Sequence, residues 1–374
     1  MVGAIGAVSQ DVPELSILSK GEQSMSIGIK DIARRANVSI ATVSLVLNNK
    51  AGVSPETRRR VLSIIDEMGY KPNLSTRQAP TRRGTIRFIV FNSHGQVVAD
   101  TPFFASLTGA IDAESKKDGF RLVISHISER DIEAELRLIR EEQTLKGFIL
   151  LATEMNEGHL QHFLELDIPF VVLDSYFEMK PLNQVVINNC EGVSKAIHHL
   201  YEKGHRQIGY CGSSVMINNF LERSQAFYQT MRQLNVPVQE RHIFRVQPTI
   251  DGTYQDMLAR LSDSLDLPTA LFADNDLIAM GVLKALKDKG VSVPGDVSLI
   301  GFDDLPYCEV TDPPLTTIRV FNRSMGKLAV KRLKSLIEEG TEEFVKIEVG
   351  TALIQRDSVA EVQLSHIDTA AVRR

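Results

Sequence analysis

Three short apolar runs end in acids: PFVVLD at Asp174, TALFAD at Asp274 with Asn275 next, and VSLIGFD at Asp303 with Asp304 next. Carboxylates accept hydrogen bonds and amides both accept and donate. Such groups gathered at one edge suit a ligand rich in vicinal hydroxyls. Asp303 and Asp304 are also an acid/base candidate, but neighbours at a strand end point to opposite sides. A plainer use, capping of the following helix, stays open for Asp276 and Asp303. His198, His199 and His205, near Cys190 and Cys211, invite a metal reading. Adjacent histidines on one helix project about 100° apart and ligate poorly together, so solvated helix ends are expected and no metal. The chain has no G-x-x-x-x-G-K-[ST] loop, no G-x-G-x-x-G after its first strand and no G-x-S-x-G elbow, so no catalytic residue and no cofactor are expected.

The runs that would position those acids alternate with helical patterns from residue 85 onward. IRFIVFN precedes a predicted helix near 104–118, RLVISHI one at 131–142 and GFILLA one at 157–166; PFVVLD closes this set. QIGYCG precedes 218–234, TALFAD precedes 276–289, and VSLIGFD leads to PLTTIRV. Apolar runs of this length are strands buried on both faces, and their alternation with helices means parallel sheets with crossover helices. Two sets predict two lobes and a cleft, with ligands beyond the carboxyl ends of the strands. A helix over 322–339 and strands at 343–348 and 351–357 complete a body spanning 85–359, and 360–374 reads as a loose tail.

Length and composition agree. The 374 residues exceed one core, and 43% hydrophobic with 24% charged is ordinary for a globular protein. No apolar run reaches the roughly 18 residues of a membrane helix. Three scattered cysteines point to reduced thiols and a cytoplasmic location. Residues 1–24 lack the basic start and apolar core of a signal peptide and read as a disordered extension, with Met25 the expected start of translation.

Ahead of the body, IKDIARRANVSIATVSLVLN over residues 29–48 has the spacing of a helix-turn-helix. Ile32, Ala33 and Ala36 face inward, Asn37 tolerates a left-handed turn and Val38 packs. Ser39 caps a second helix whose inner face is Val43, Val46 and Leu47. Ile40, Ala41, Ser44, Leu45 and Asn48 lie opposite. A third helix begins with Ser54 as cap and Pro55 first, turns Val61, Leu62, Ile65 and Met68 inward, and ends at Gly69. The plain alternative is a three-helix bundle that binds protein or nothing. Charge favours DNA. Residues 25–84 hold eleven Lys and Arg against four Asp and Glu, a formal +7, and since the whole chain is −5 the rest carries −12. A basic head on an acidic body serves phosphate neutralisation while limiting indiscriminate adhesion.

VSIATVSLVLN followed by VSPETRRRVLSIIDEMGYKPN resembles the DNA-binding head of the LacI/GalR family of bacterial regulators, and the similarity runs through residue 359. The resemblance implies an α/β chain: an all-α helix-turn-helix head over 25–72, a hinge over 73–84, and a two-lobed body like periplasmic sugar-binding proteins. It matches Ser39, Thr42, Ser44 and Asn48 with anchors on phosphate or groove, and Ile40, Ala41 and Leu45 with base-reading positions. Many members carry Arg where this chain has Leu45, so apolar contact with a thymine methyl replaces a guanine bond. Members usually place a minor-groove leucine where this chain has Ala79, which leaves the hinge to Arg77, Arg82 and Arg83, or leaves these as a solvated linker.

For the body, the resemblance assigns effector contacts to Asp174, Arg223, Asn275 and Asp303, with Phe103 and Phe104 as the aromatic edge of the pocket. Arg223 as a surface helix residue and either phenylalanine as core remain alternatives. A carbohydrate effector fits the set, because an aromatic face covers the C–H side of a sugar ring. The expectation is a homodimeric repressor, without membrane attachment, on a pseudo-palindromic double-stranded operator, controlled by a small molecule. A solute-binding protein or a sugar-processing enzyme on the same scaffold is the alternative; the missing signal peptide and the basic head weigh against the first.

Overall fold

The computed structural model describes residues 28–47, 52–68, 83–98, 101–263 and 266–362. The chain divides into two compact units, Met1–Ala79 and Pro80–Arg374. In the first, α1 (Ile29–Ala36), α2 (Ile40–Leu47) and α3 (Pro55–Glu67) close around Ile32, Ala33, Ala36, Val43, Val46 and Val61. Local chemistry sets the ends. Asn37 takes the left-handed turn at φ 50°. The Ser39 hydroxyl accepts the Thr42 N–H at 3.1 Å, and Ser54 accepts that of Thr57 at 3.2 Å with Pro55 first in the helix. Val38, Leu47, Ile64, Ile65 and Met68 pack partly against this core. Leu62 does not, contrary to expectation. It is 48% exposed, because Val61 occupies the inward direction and the next residue turns about 100° away.

The second unit contains two six-stranded sheets. The first runs β11-β5-β4-β3-β1-β2, all parallel, with β1 (Thr85–Asn92), β2 (Arg121–Ser128), β3 (Leu145–Leu151), β4 (Phe170–Leu173), β5 (Gln184–Ile187) and β11 (Lys346–Val349). The second runs β12-β10-β9-β8-β6-β7, with β6 (Ile208–Ser213), β7 (Ile243–Val246), β8 (Ala270–Ala273), β9 (Ser298–Asp303), β10 (Thr316–Val320) and β12 (Thr351–Ile354). It is parallel apart from the β10/β12 pair. β6 and β8 are buried at every position, which is why they read as unbroken apolar runs.

Of the expected helices, α4 (Pro102–Lys117), α5 (Ile132–Glu141), α6 (Glu157–Leu164), α8 (Asn218–Gln233), α10 (Asp276–Asp288) and α11 (Asn322–Glu339) form near their predicted spans. Three further elements, β5, β7 and α9 (Ile250–Asp263), escape the pattern reading, and of α7 (Asn189–Glu202) only the histidine-bearing part reads as helix. Both helices contain a glycine that reads as a breaker but meets crowding instead. A Cβ on Gly192 would lie 2.7 Å from the Phe302 ring, and one on Gly252 would lie 2.5 Å from Gln247 Cβ.

The lobes are not consecutive in sequence. The chain crosses between them after β5, after β10 and after β11. α11 therefore packs on α4, β3 and β4 of the first lobe, although it follows β10 of the second. The last two strands go to different sheets. Both ends of the unit extend past the expected limits. Arg83 N–H donates to Gly119 O and Arg121 N–H to Gly84 O, and the Arg83 side chain pairs with Glu338, so Arg83 and Gly84 belong to the body and not to a hinge. Ala360 N–H bonds Ser298 Oγ and Val362 N–H bonds Lys203 O, so order continues beyond 359.

The histidines are not solvated helix ends either. His199 and His205 are buried, and His205 lies between Thr269 Oγ1 at 2.9 Å and the Ala360 carbonyl at 3.1 Å. Cys190 is exposed, Cys211 and Cys308 are buried, and all three are free. Among the described residues no cluster of three metal-ligating side chains forms, and no helix is long and apolar enough to cross a membrane.

Candidate functional site

On α2 the outward face is as the spacing predicts. Ser39, Ile40, Ala41 and Ser44 are exposed, Thr42 and Leu45 are half-buried, and Val43 and Val46 are buried. Ser39 Oγ also lies 2.9 Å from Thr42 Oγ1, so the cap and the residue facing the same side as Ser39 are tied together. This short helix thus offers small hydroxyls flanking the apolar tips of Ile40 and Leu45. Asn48, Arg77 and Ala79 lie outside the described residues.

In the body, a narrow cavity lies where the carboxyl ends of both sheets face each other. All six expected contacts line it: Phe103, Phe104 and Asp174 from the first lobe, and Arg223, Asn275 and Asp303 from the second. Val97, Thr153, Asn219, Phe220 and Leu305 line it as well and were not anticipated. Asp174 and Asp303 have φ values of +65° and +114°, uncommon for residues other than glycine. Backbone strain of this kind costs on the order of 1–3 kcal/mol and is characteristic of sites where side-chain aim matters. Here it turns both carboxylates into the cavity as the strands end.

Asp174 is buried and accepts Thr153 Oγ1–H at 2.6 Å, while Asn219 Nδ2 donates to both its carboxylate and its carbonyl oxygen. Burial outweighs these bonds and pushes its pKa up to about 6. Arg223 is 3% exposed, so it is not a surface residue. Its Nε donates to Asn189 Oδ1 at 2.9 Å, its Nη1 bonds the Asp274 carbonyl, and its Nη2 lies 3.4 Å from Asp303 Oδ1. The guanidinium also stacks 3.7 Å above the Phe302 ring.

Asp303 keeps 16% of its side-chain surface exposed. Burial raises its pKa furthest, to about 8, against the pull of Arg223 and with the help of the charges on Asp276 and Asp174. Beside them Glu222, hydrogen-bonded to Asn189, is also raised by burial. One guanidinium therefore faces three under-compensated acids. Near neutral pH Asp303 therefore holds its proton while Asp174 is mostly ionised, so the wall presents hydrogen-bond donors and acceptors together, which suits a neutral molecule able to do both.

The other strand-end acids have structural partners. Asp304, at φ +56°, turns away from Asp303 to Arg356 at 2.7 Å and Arg319 at 2.6 Å, so the two do not form an acid/base pair. Asn275, not Asp276, caps α10, its Oδ1 accepting the Ile278 N–H at 2.9 Å. Asp276 instead accepts the Leu305 N–H and the Thr317 hydroxyl, tying the end of β9 to β10. Asp274 accepts the Tyr210 hydroxyl and the Ser213 N–H, and burial raises its pKa to about 6. On the apolar side Phe103 is buried and Phe104 half-buried, edge to face at 5.0 Å between ring centroids.

The sequence pattern of bacterial regulatory proteins of the lacI family matches residues 28–73, and that of a periplasmic binding protein-like domain matches 197–359. The HTH-type transcriptional regulator GalS of Salmonella typhimurium is 34% identical over 310 residues, 82% of this chain and 88% of that protein. The chain belongs to the lacI family. It is a DNA-binding transcriptional regulator and not an enzyme. Another family member, the transcriptional repressor PurR of Actinobacillus pleuropneumoniae, is 30% identical over 83% of this chain and 90% of its own length. Among solved members, the complex of the transcriptional regulator CelR with cellobiose superposes with a TM-score of 0.68 at 26% identity, covering 89% of this chain and 99% of CelR. The family's head pattern spans α1 to α3, and its body architecture is the two-lobed arrangement described above.

Proposed function

We propose that this regulator is a cytoplasmic repressor whose operator affinity is set by a neutral polyhydroxyl effector, a sugar or sugar derivative, bound between the lobes. The supporting observation is the cavity wall. Asp174 and Asp303, held desolvated on opposite lobes beside Asn219 and Arg223, call for a partner that both donates and accepts hydrogen bonds, as a hydroxyl does, and Phe103 and Phe104 supply an apolar edge. A ligand that satisfies both lobes at once favours one lobe arrangement over others, and linkage carries that preference to the head and back. CelR, a relative solved with cellobiose, is in keeping with this chemistry.

On DNA, the reading is a homodimer on a pseudo-palindrome. Ser39, Thr42, Ser44 and Asn48 fix α2 in the major groove, and Ile40, Ala41 and Leu45 read bases through apolar contact. Arg77 and Ala79 meet the minor groove between half-sites without a wedge. Selection from a randomised DNA pool, followed by operator-release titration with monosaccharides, disaccharides and nucleobases, tests both parts. An enriched two-fold site released or tightened by a sugar is expected. Enrichment of a site that answers to a nucleobase and to no sugar would overturn the effector assignment.

A further inference from the structure

The turn after β3 holds a buried carboxylate that the effector contacts do not use. Glu154 has no exposed side-chain surface. Its Oε2 accepts the backbone N–H groups of Ser93, His94 and Gly95 at 3.0, 3.0 and 2.9 Å, and its Oε1 those of Val97 and Val98 at 2.9 and 3.1 Å. Five amides of one loop thus converge on one side chain 56 to 61 residues away in sequence. Burial would raise the pKa of Glu154, but the N–H groups outweigh it and the net shift is downward, so the group is an anion.

That loop leaves β1 and becomes the rim of the cavity, where Val97 is a wall residue. Thr153, the residue before Glu154, donates to Asp174 in the floor. A single turn, closed by Met155 N–H on Ala152 O, therefore fastens the rim with one residue and the floor with the next.

We propose that Glu154 is a positioning residue for effector binding: its charge gathers the amides of residues 93–98, holds Val97 in the cavity wall beside Thr153 and Asp174, and so sets effector affinity without touching the effector. The inference rests on the cavity being the effector site. Gln in this place presents an N–H₂ to amides that need an acceptor, and Ala leaves the amides without one. A small carboxylate can fill the space left by Ala but not the space occupied by Gln.

Hydrogen–deuterium exchange on the full chain, comparing wild type, Glu154→Gln and Glu154→Ala, reads the loop directly. Exchange over residues 93–98 should rise by roughly tenfold or more in both variants, as expected for amides that lose bonds to a charged acceptor, with the second lobe unchanged. Sodium formate, against sodium chloride at equal ionic strength, should restore protection in Glu154→Ala and not in Glu154→Gln. Unchanged loop exchange, or faster exchange spread equally over both lobes with no rescue by formate, would overturn the assignment.

Titration with D-ribose, D-galactose and cellobiose supplies the functional arm. Whichever sugar the wild type binds should bind Glu154→Ala about tenfold or more weakly and recover with formate, while operator affinity stays at the wild-type level. Equal sugar affinity in the variant would overturn the proposed role. If the wild type binds none of the three, the carbohydrate reading fails for these sugars, and the loop exchange with its formate rescue decides the role of Glu154 alone.

Discussion

Replacing Asp303 by Asn should make the protein more stable at slightly alkaline pH while removing its response to sugar. Asn keeps the shape and an oxygen for Arg223 Nη2 but cannot ionise. An acid whose folded pKa exceeds its unfolded value binds its proton more tightly in the folded chain, so its contribution to stability is lost as pH rises through the folded value. For Asp303 the rise runs from 3.8 to about 8, and at about 1.4 kcal/mol per unit this bounds the cost of the charged form near 6 kcal/mol. The realised gain is smaller. The side chain retains 16% exposure, Asp174 and Asp276 share the same repulsion, and the 3.4 Å contact with Arg223 loses its charge. A net gain of about 1–3 kcal/mol near pH 8, shrinking to about a third of that near pH 5 and vanishing below the unfolded pKa, is expected. At about 2–4 °C per kcal/mol for a body of this size, the melting temperature should rise by roughly 2–12 °C at the higher pH. Thermal melts of both proteins across that range, with operator release by sugar measured in parallel, provide the check. A variant that melts at or below wild type near pH 8, or that gains equally near pH 5, would refute the reasoning.

Leu45→Arg should shift the preferred half-site by about 1–3 kcal/mol per affected base pair, and an unchanged selected sequence would count against α2 as the reading element. Ser39→Ala removes the cap of α2 and its link to Thr42; a loss of about 1 kcal/mol in head stability, with weaker operator binding, is expected from melts and titrations. Asn219→Leu removes the donor to the Asp174 carbonyl and to one of its carboxylate oxygens, so sugar response should vanish with operator affinity intact; a retained response would place the effector elsewhere.

The strand-end rule led from sequence to Asp174, Asp274, Asn275, Asp303 and Asp304, because parallel strands buried on both faces announce themselves and end at the cleft, but only the family resemblance set Asp174, Asn275 and Asp303 apart from Asp274 and Asp304. Applied to GFILLAT, the same rule reaches Thr153 and Glu154; stopping at the last apolar residue missed them. Arg223 and the phenylalanines needed the family pattern, since a charged residue inside a helix carries no sign that an aromatic ring and an amide will cover it. Asn219 and Phe220 were out of reach, as their place follows from how α8 meets the other lobe. Gly192 in α7 is explained by crowding from Phe302 and Ile318, far along the chain, whereas Gly252 in α9 is crowded by Gln247 and Thr249 just before it. Leu62 failed for a simpler reason: inward positions were assigned to two successive helical residues, which cannot share a face.

The three crossings between lobes bear on how the protein is made. Synthesis delivers the N-terminus first, and units complete in sequence can fold as they emerge. The first lobe cannot. Its strands β1 to β5 are synthesised long before α11 and β11, yet Ala329, Val330 and Leu333 of α11 complete its core and β11 pairs the open edge of β5. Until residue 349 has left the ribosome, that half of the sensor is a sheet with one apolar face only partly covered, by α4, and one edge unpaired, a state open to aggregation and to chaperone capture. A message truncated late in the gene therefore yields a body in which neither lobe is whole.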